Sequence, residues 1–391
     1  MKYDFDQVID RSSTYASKWC DVEEVFGSKD VLPMWIADMD LPVPVPVVEA
    51  LIKRAEHGIY GYTSRPESYY VAFANWMEKR HGFKIAREWI AHAPGVIPPL
   101  NLLVAALTRP GDKIVLQSPA YPPFYEIIDN NGCHLVNNPL KLENGRYVMD
   151  YENLERALQE PRVKIFLLCS PHNPVGRVWT KEELIRAGEL CLANDVLVLA
   201  DEIHCDLIYS GHKHIPFASI SEEFAQNSVT FVAPSKTFNL AGLQTAVAII
   251  PNSKLYALYQ QILADLHMKR NNIFGMVAAE AAYSHGAEWL DQLMEYLQGN
   301  LDFVLRYFAE RIPKIKANRP EGTYLVWLDC RELGLPHGQL QQFMVQKARV
   351  AMNDGMAFGV GGEGFLRLNI ACPRSMVEEA LQRIEQAVNS L

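Results

Sequence analysis

The sequence predicts an α/β protein: a mostly parallel sheet covered by helices, followed by a smaller α+β domain. Between about residues 90 and 250, short apolar runs at 114–116, 164–169, 196–200, 230–232 and 246–250 alternate with helical segments. None of these runs alternates polar with apolar, which marks strands buried on both faces. Past about 280 the pattern changes to one long amphipathic helix and two separate strand-like runs. These observations divide the 391 residues into an amino-terminal arm (1–45) that joins the small domain, a large domain (46–282) and a carboxyl-terminal α+β domain (283–391).

The arm is polar and ends with prolines at 42, 44 and 46, so an extended segment is expected there. Pro46 is placed to open a helix through Val47, Val48, Ala50, Leu51 and Ala55. A turn at Tyr60-Gly61-Tyr62-Thr63 precedes a helix carrying Tyr69, Phe73, Trp76 and Met77. Gly95 and Pro98 mark a turn feeding an apolar helix. Thr180-Lys181-Glu182-Glu183 is a capping-box pattern starting the helix between two strands. In the last third, Trp289, Leu293, Leu297, Leu301, Val304 and Phe308 recur every three or four positions, the helical period. Runs at 323–328 and 365–370 read as strands, and Ser375 with Glu378 suggests a second capping box opening the last helix.

The totals exclude several classes. A formal charge of -9 leaves no basic excess for nonspecific nucleic-acid binding. No apolar stretch approaches a membrane helix, and the first residues have no signal core, so neither membrane nor export is expected. Seven cysteines without a C-x-x-C pair read as reduced thiols and point to the cytoplasm. No metal site is expected.

The chemistry gathers where strands end. The run at 230–232 leads into Pro234-Ser235-Lys236, that at 196–200 into Asp201-Glu202-Ile203-His204, and that at 164–169 into Ser170-Pro171-His172-Asn173. Ligands of open α/β sheets bind at the carboxyl ends of strands. Alone, Lys236 reads as a surface cation. At the base of a cleft it reads instead as a desolvated amine, usable as a nucleophile or base and suited to a Schiff base with pyridoxal phosphate. Asp201 closes an apolar strand, where a carboxylate needs a cation; a pyridinium nitrogen or a structural ion pair meets that need. His204 reads either as a core histidine or as a packing or hydrogen-bonding partner of the cofactor ring. Asn173 marks a turn, but it also offers an amide to a ring hydroxyl or a substrate carboxylate.

Five further positions complete the set. Val96 and Ile97 begin the helix after Gly95, where backbone N–H groups favour an anion, and Ser235 adds a hydroxyl. Tyr121, after the first of the apolar runs, is placed to stack on a flat ring or to fill the core. Arg367 interrupts an apolar strand with a guanidinium, fitted either to a substrate carboxylate or to an ion pair.

Together, Gly61-Tyr62, Pro94-Gly95, Tyr121, Asn173-Pro174-x-Gly176, Asp201, Ser235-Lys236 and Arg367 resemble the fold-type I pyridoxal-phosphate enzymes of the class I/II aminotransferase superfamily. The resemblance spans most of the chain and implies a seven-stranded large-domain sheet. It implies that Lys236 is the Schiff-base lysine and Asp201 the pyridine-nitrogen partner. Asn173 contacts the ring hydroxyl, Tyr121 stacks, and Ser235 with the Val96 and Ile97 amides holds phosphate. Arg367 binds the substrate α-carboxylate, and Tyr62 reaches the neighbouring site of a homodimer.

Three segments resemble one branch in particular, the MalY/PatB-type cystathionine β-lyases: Trp35-Ile36-Ala37-Asp38-Met39-Asp40, Asp201 to Asp206, and Ser235 to Gln244. Most aminotransferases resembling this chain carry tyrosine where His204 stands and a phosphate-binding arginine where Gln244 stands. These departures point away from a transaminase and leave the phosphate without an assigned cation. The implied reaction is β-elimination from cystathionine or another cysteine S-conjugate to a thiol, pyruvate and ammonia, with Trp35 beside the substrate side chain and Lys236 as base. A transaminase using the same lysine is the neighbouring reading. A regulatory binding protein that keeps the fold and acts through a partner is a reading of another class.

Overall fold

The computed structural model describes residues 1–336 and 338–391. Its centre is a seven-stranded sheet of β1 (Ile90–Ala93), β2 (Lys113–Leu116), β3 (His134–Asn137), β4 (Val163–Cys169), β5 (Leu197–Asp201), β6 (Ser228–Val232) and β7 (Ala246–Ile249). The spatial order is β1-β7-β6-β5-β4-β2-β3. Strands β3, β2, β4, β5 and β6 run parallel, and β7 is antiparallel to both of its neighbours.

The unbroken apolar runs have the predicted cause. In β4, Ile165, Leu167 and Cys169 face one core, whereas Phe166 and Leu168 face another. On the first side the cover comes from Ile97–Leu107, Pro122–Asn130 and Ser253–Asp265; on the second, from Tyr151–Leu158 and Lys181–Ala193. Thr180 caps the last of these helices in a full capping box with Glu183.

A four-stranded antiparallel sheet follows: β8 (Lys316–Ala317), β9 (Leu325–Asp329), β10 (Asn353–Asp354) and β11 (Phe365–Asn369), in spatial order β8-β9-β11-β10. The helix Ala287–Arg311 buries the predicted row Trp289, Leu293, Leu297, Leu301, Val304 and Phe308. That row shares a core with Val377, Ala380, Leu381, Ile384 and Val388 of the final helix.

Local details differ from the sequence reading at three places. The final helix spans Arg374–Val388, with Pro373 at its boundary and no side-chain cap, so Ser375 lies inside the first turn instead of capping it. The arm carries elements the sequence reading did not anticipate: Ser17–Cys20 and Val22–Phe26 are short helices, and Leu32–Pro33 pairs in parallel with Val350–Ala351. Finally, β6 stops at Val232, and Lys236 rides on a single helical turn, Pro234–Thr237. Among the described residues no helix is long and apolar enough to cross a membrane.

Candidate active site

The parallel register sets three strand ends side by side. Cys169 of β4 pairs with Asp201 of β5, which pairs with Phe231 of β6. The chain leaving each strand therefore enters one cleft of about 670 Å³. Trp35, Val96, Ile97, Tyr121, Asn173, Asp201, His204, Ser235, Lys236 and Arg367 all line it. Tyr62 does not. Its ring is 91% exposed and lies under the Arg270 guanidinium, 4.0 Å from the ring centre, in a separate hollow.

Each wall has a local cause. Gly95, at φ +116°, makes the turn that delivers Val96 and Ile97 at the start of Ile97–Leu107, where helix N–H groups and the dipole favour an anion. Gly176, at φ +72°, closes the Asn173 loop under Pro320; a Cβ there would lie 2.3 Å from the proline's Cβ. Tyr121 ends the segment leaving β2 and stands just before the helix Pro122–Asn130. Arg367 reaches the cleft from β11 in the other sheet.

The charged groups are unevenly partnered. Asp201 is buried and accepts a hydrogen bond from the Ile203 N–H at 3.0 Å. Burial pushes its carboxyl up to about 7, against the opposing pull of that N–H and of Lys236. The Lys236 amine donates to the Ala37 carbonyl at 2.6 Å. Burial, then Arg367, push it down to about 8, while Asp38 and Asp201 pull the other way. His204 packs edge-on against Tyr324; burial holds it neutral, with Lys236 and Arg367 reinforcing the effect, and its Nδ1 is buried without a partner.

Arg367 is held by neutral oxygens. Its guanidinium donates to Asn173 Oδ1 at 2.9 Å, Asn353 Oδ1 at 2.6 Å and the Trp35 carbonyl at 3.1 Å, and it lies over the Phe358 ring. Its Nε is buried and unpartnered, and burial pushes its pKa down to about 10 against Tyr121 and Tyr324. A buried guanidinium without a carboxylate is costly, which fits it to an anionic ligand.

These features fit pyridoxal phosphate: an amine of lowered pKa, a buried carboxylate short of donors, and a helix start for a phosphate. Besides Lys236 and Arg367, no cation lines the described cleft, and Gln244 stands in its wall in a left-handed conformation, at φ 45°. Residues that sequence reasoning missed include Asn353, Thr245 and the Ala37 carbonyl. Asn353 is signalled only by its pairing with Arg367 across β10 and β11. A backbone carbonyl carries no sequence signal.

Comparison with known proteins agrees with this geometry. The model of the family "Aminotransferase class I and II" matches residues 29–384. The chain is 45% identical to cystathionine beta-lyase PatB of Bacillus subtilis, over 98% of this chain and all of the relative. It is 33% identical to protein MalY of Escherichia coli, over the full length of both. The crystal structure of cystalysin from Treponema denticola, which contains a pyridoxal 5'-phosphate cofactor, superposes with a TM-score of 0.97 at 35% identity, covering both chains completely. The chain belongs to the aminotransferase class I and II family, in the branch that holds PatB and MalY.

Proposed function

We propose that this protein is a pyridoxal-phosphate-dependent carbon–sulfur β-lyase that cleaves cystathionine and related cysteine S-conjugates to a thiol, pyruvate and ammonia. The observation that carries the reading is one cleft holding a lysine of lowered pKa, a donor-poor buried aspartate and an arginine without a carboxylate, in a chain 45% identical to a cystathionine beta-lyase.

When bound, pyridoxal phosphate supplies an aldehyde that captures amines and a ring that takes up an electron pair when its nitrogen is protonated. Lys236 would hold it, and its amine, lowered by burial to about 8, would remove the substrate Cα proton. Asp201 would meet the ring nitrogen and keep it protonated; its carboxylate, disfavoured by burial alone, would be stabilised by that cation. Arg367 grips the α-carboxylate in a fork already set by Asn173, Asn353 and the Trp35 carbonyl. All of these line the cleft: the Val96 and Ile97 amides and Ser235 would hold the phosphate, Tyr121 and His204 would pack the ring, Asn173 would meet its hydroxyl, and Trp35 would border the substrate side chain.

The same proposal extends to assembly and place. Ile59, Tyr60 and Tyr62 are exposed apolar groups in one segment, suited to a homodimer in which Tyr62 reaches the neighbouring cleft. Residues 46–282 form the large domain and 283–391 the small one, with 1–45 joining the latter. Seven free cysteines suit a cytoplasmic setting.

The test is incubation with cystathionine. Pyruvate formed without added keto acid, and lost in Lys236→Ala, is the expected result; strict dependence on a keto acid would overturn the lyase reading in favour of a transaminase.

A further inference from the structure

Residues 35–40 form a strap that borders the cleft with residues 35–37, and the backbone carbonyls there hold both of the cleft's cations. The Ala37 carbonyl accepts from the Lys236 amine at 2.6 Å and from the Tyr324 hydroxyl at 2.8 Å. The Trp35 carbonyl accepts from Arg367. On one side, Asn369 of β11 donates to the Ile36 and Asp38 carbonyls at 2.6 and 2.7 Å. On the other, Asn239, three residues past Lys236, donates to the Met39 and Leu41 carbonyls and accepts from the Met39 N–H.

The strap's carboxylates engage the earlier part of the amino-terminal arm, residues 11–19. Asp40 accepts from Lys18 at 2.5 Å, Arg11 at 2.7 Å and Trp19 Nε1 at 2.8 Å, and Asp38 accepts from Arg11 at 2.7 Å. Lys18 is 1% exposed and Asp40 3%. Burying such a pair gains little stability, because desolvation offsets the attraction, and its best-attested use is to select one register. Here the register selected is that of the segment touching Lys236. The charged and titratable groups facing that amine are Asp38 on the strap, Asp201 on β5, Arg367 on β11, and His204, Tyr121 and Tyr324 around the cleft.

We propose that Arg11, Lys18, Asp38 and Asp40 form a positioning clamp that holds the strap so that the Ala37 carbonyl orients the Lys236 amine for proton transfer. The inference rests on Lys236 being the base. An amine with one N–H committed to a fixed carbonyl has its remaining positions confined. A loosened strap lets the amine swing and hydrate, and misplacement of this kind costs rate more than binding.

The test uses Asp40→Asn and Arg11→Gln, with Arg11→Lys as the conservative rescue. In the holoenzyme we expect kcat to fall about ten- to a hundredfold while KM stays within about twofold. In cofactor-free protein, acylation of Lys236 by an amine reagent, followed by peptide mass spectrometry against exposed Lys141, should run on the order of tenfold faster than in the parent. Arg11→Lys should recover part of both effects. Folded variants with parental kcat and parental Lys236 labelling would overturn the clamp. Should Asp40→Asn fail to fold, Arg11→Gln carries the test, since that side chain is 20% exposed. Activity surviving in Lys236→Ala would instead overturn the reading of the base, whatever the clamp variants do.

Discussion

Asp201 and Asp206 stand five residues apart, both buried, and they behave in opposite ways. Asp206 accepts from Trp76 Nε1 at 3.0 Å and Thr237 Oγ1 at 2.8 Å, and pairs with His81 Nε2 at 2.8 Å. Burial pushes its carboxyl up, but these bonds outweigh burial and hold it below the usual carboxylate range. Asp201 has the Ile203 N–H and the charge of Lys236, which it does not hydrogen-bond, and burial wins. Burial alone therefore does not mark a site. A buried carboxylate with its donors supplied is architecture, and one left short of donors awaits a cationic ligand.

The strongest way to break this comparison is to neutralise each carboxylate. Asp201→Asn should lower β-elimination by about a hundred- to a thousandfold through lost stabilisation of the ring charge, while the fold persists. Asp206→Ala should do the reverse, removing about 3–5 kcal/mol of stability in denaturant titration, because His81 and its neighbours lose a buried anion. Equal stability losses in the two variants would end the distinction.

Next in size is Arg367→Lys. A point charge replaces a fork held by Asn173, Asn353 and the Trp35 carbonyl, so kcat/KM should fall about ten- to a hundredfold, the equivalent of about 1.5–3 kcal/mol in charged hydrogen bonds. Steady-state kinetics with cystathionine read this directly.

The pH dependence sharpens the comparison further. Asp201 is raised in the folded cofactor-free protein from 3.8 to about 7, so folding retains its proton. Its contribution is fully present below about pH 4 and is lost as pH rises toward 7, since the unfolded chain binds fewer protons across that window. Melting temperatures of cofactor-free protein should therefore decline between pH 4 and 7 more steeply than those of Asp201→Asn. Bound cofactor should remove the excess decline. The smallest effect is expected at Thr180→Ala, outside the cleft lining: about 1 kcal/mol from a lost cap, with kinetics unchanged.

Much of this was legible beforehand for a physical reason. A strand covered on both faces must be apolar throughout, so β4 to β6 announced themselves, and a polar group at the end of such a strand stands out against it. Asn173, Asp201 and Lys236 were found in that way, and parallel register then brought them together. The long helix Ala287–Arg311 was equally plain, because one buried face repeats at the helical period. Tyr62 was placed by family resemblance, and in the single chain it lies outside the cleft.

What composition and spacing determined, then, was the class of fold, the succession of elements and the chemical types at the strand ends, all properties of neighbouring residues. Tertiary structure alone decided which buried charges are satisfied. Asp206 depends on donors 130 and 125 residues upstream, Arg367 on an asparagine 194 residues away, and Lys236 on a carbonyl that any residue at 37 would offer. The cap at Ser375 failed for a different, local reason: Pro373, two residues earlier, sets the helix boundary, so Ser375 falls inside the first turn. Hydrogen bonds form between atoms close in space, and most of those that govern this cleft join residues far apart in the chain.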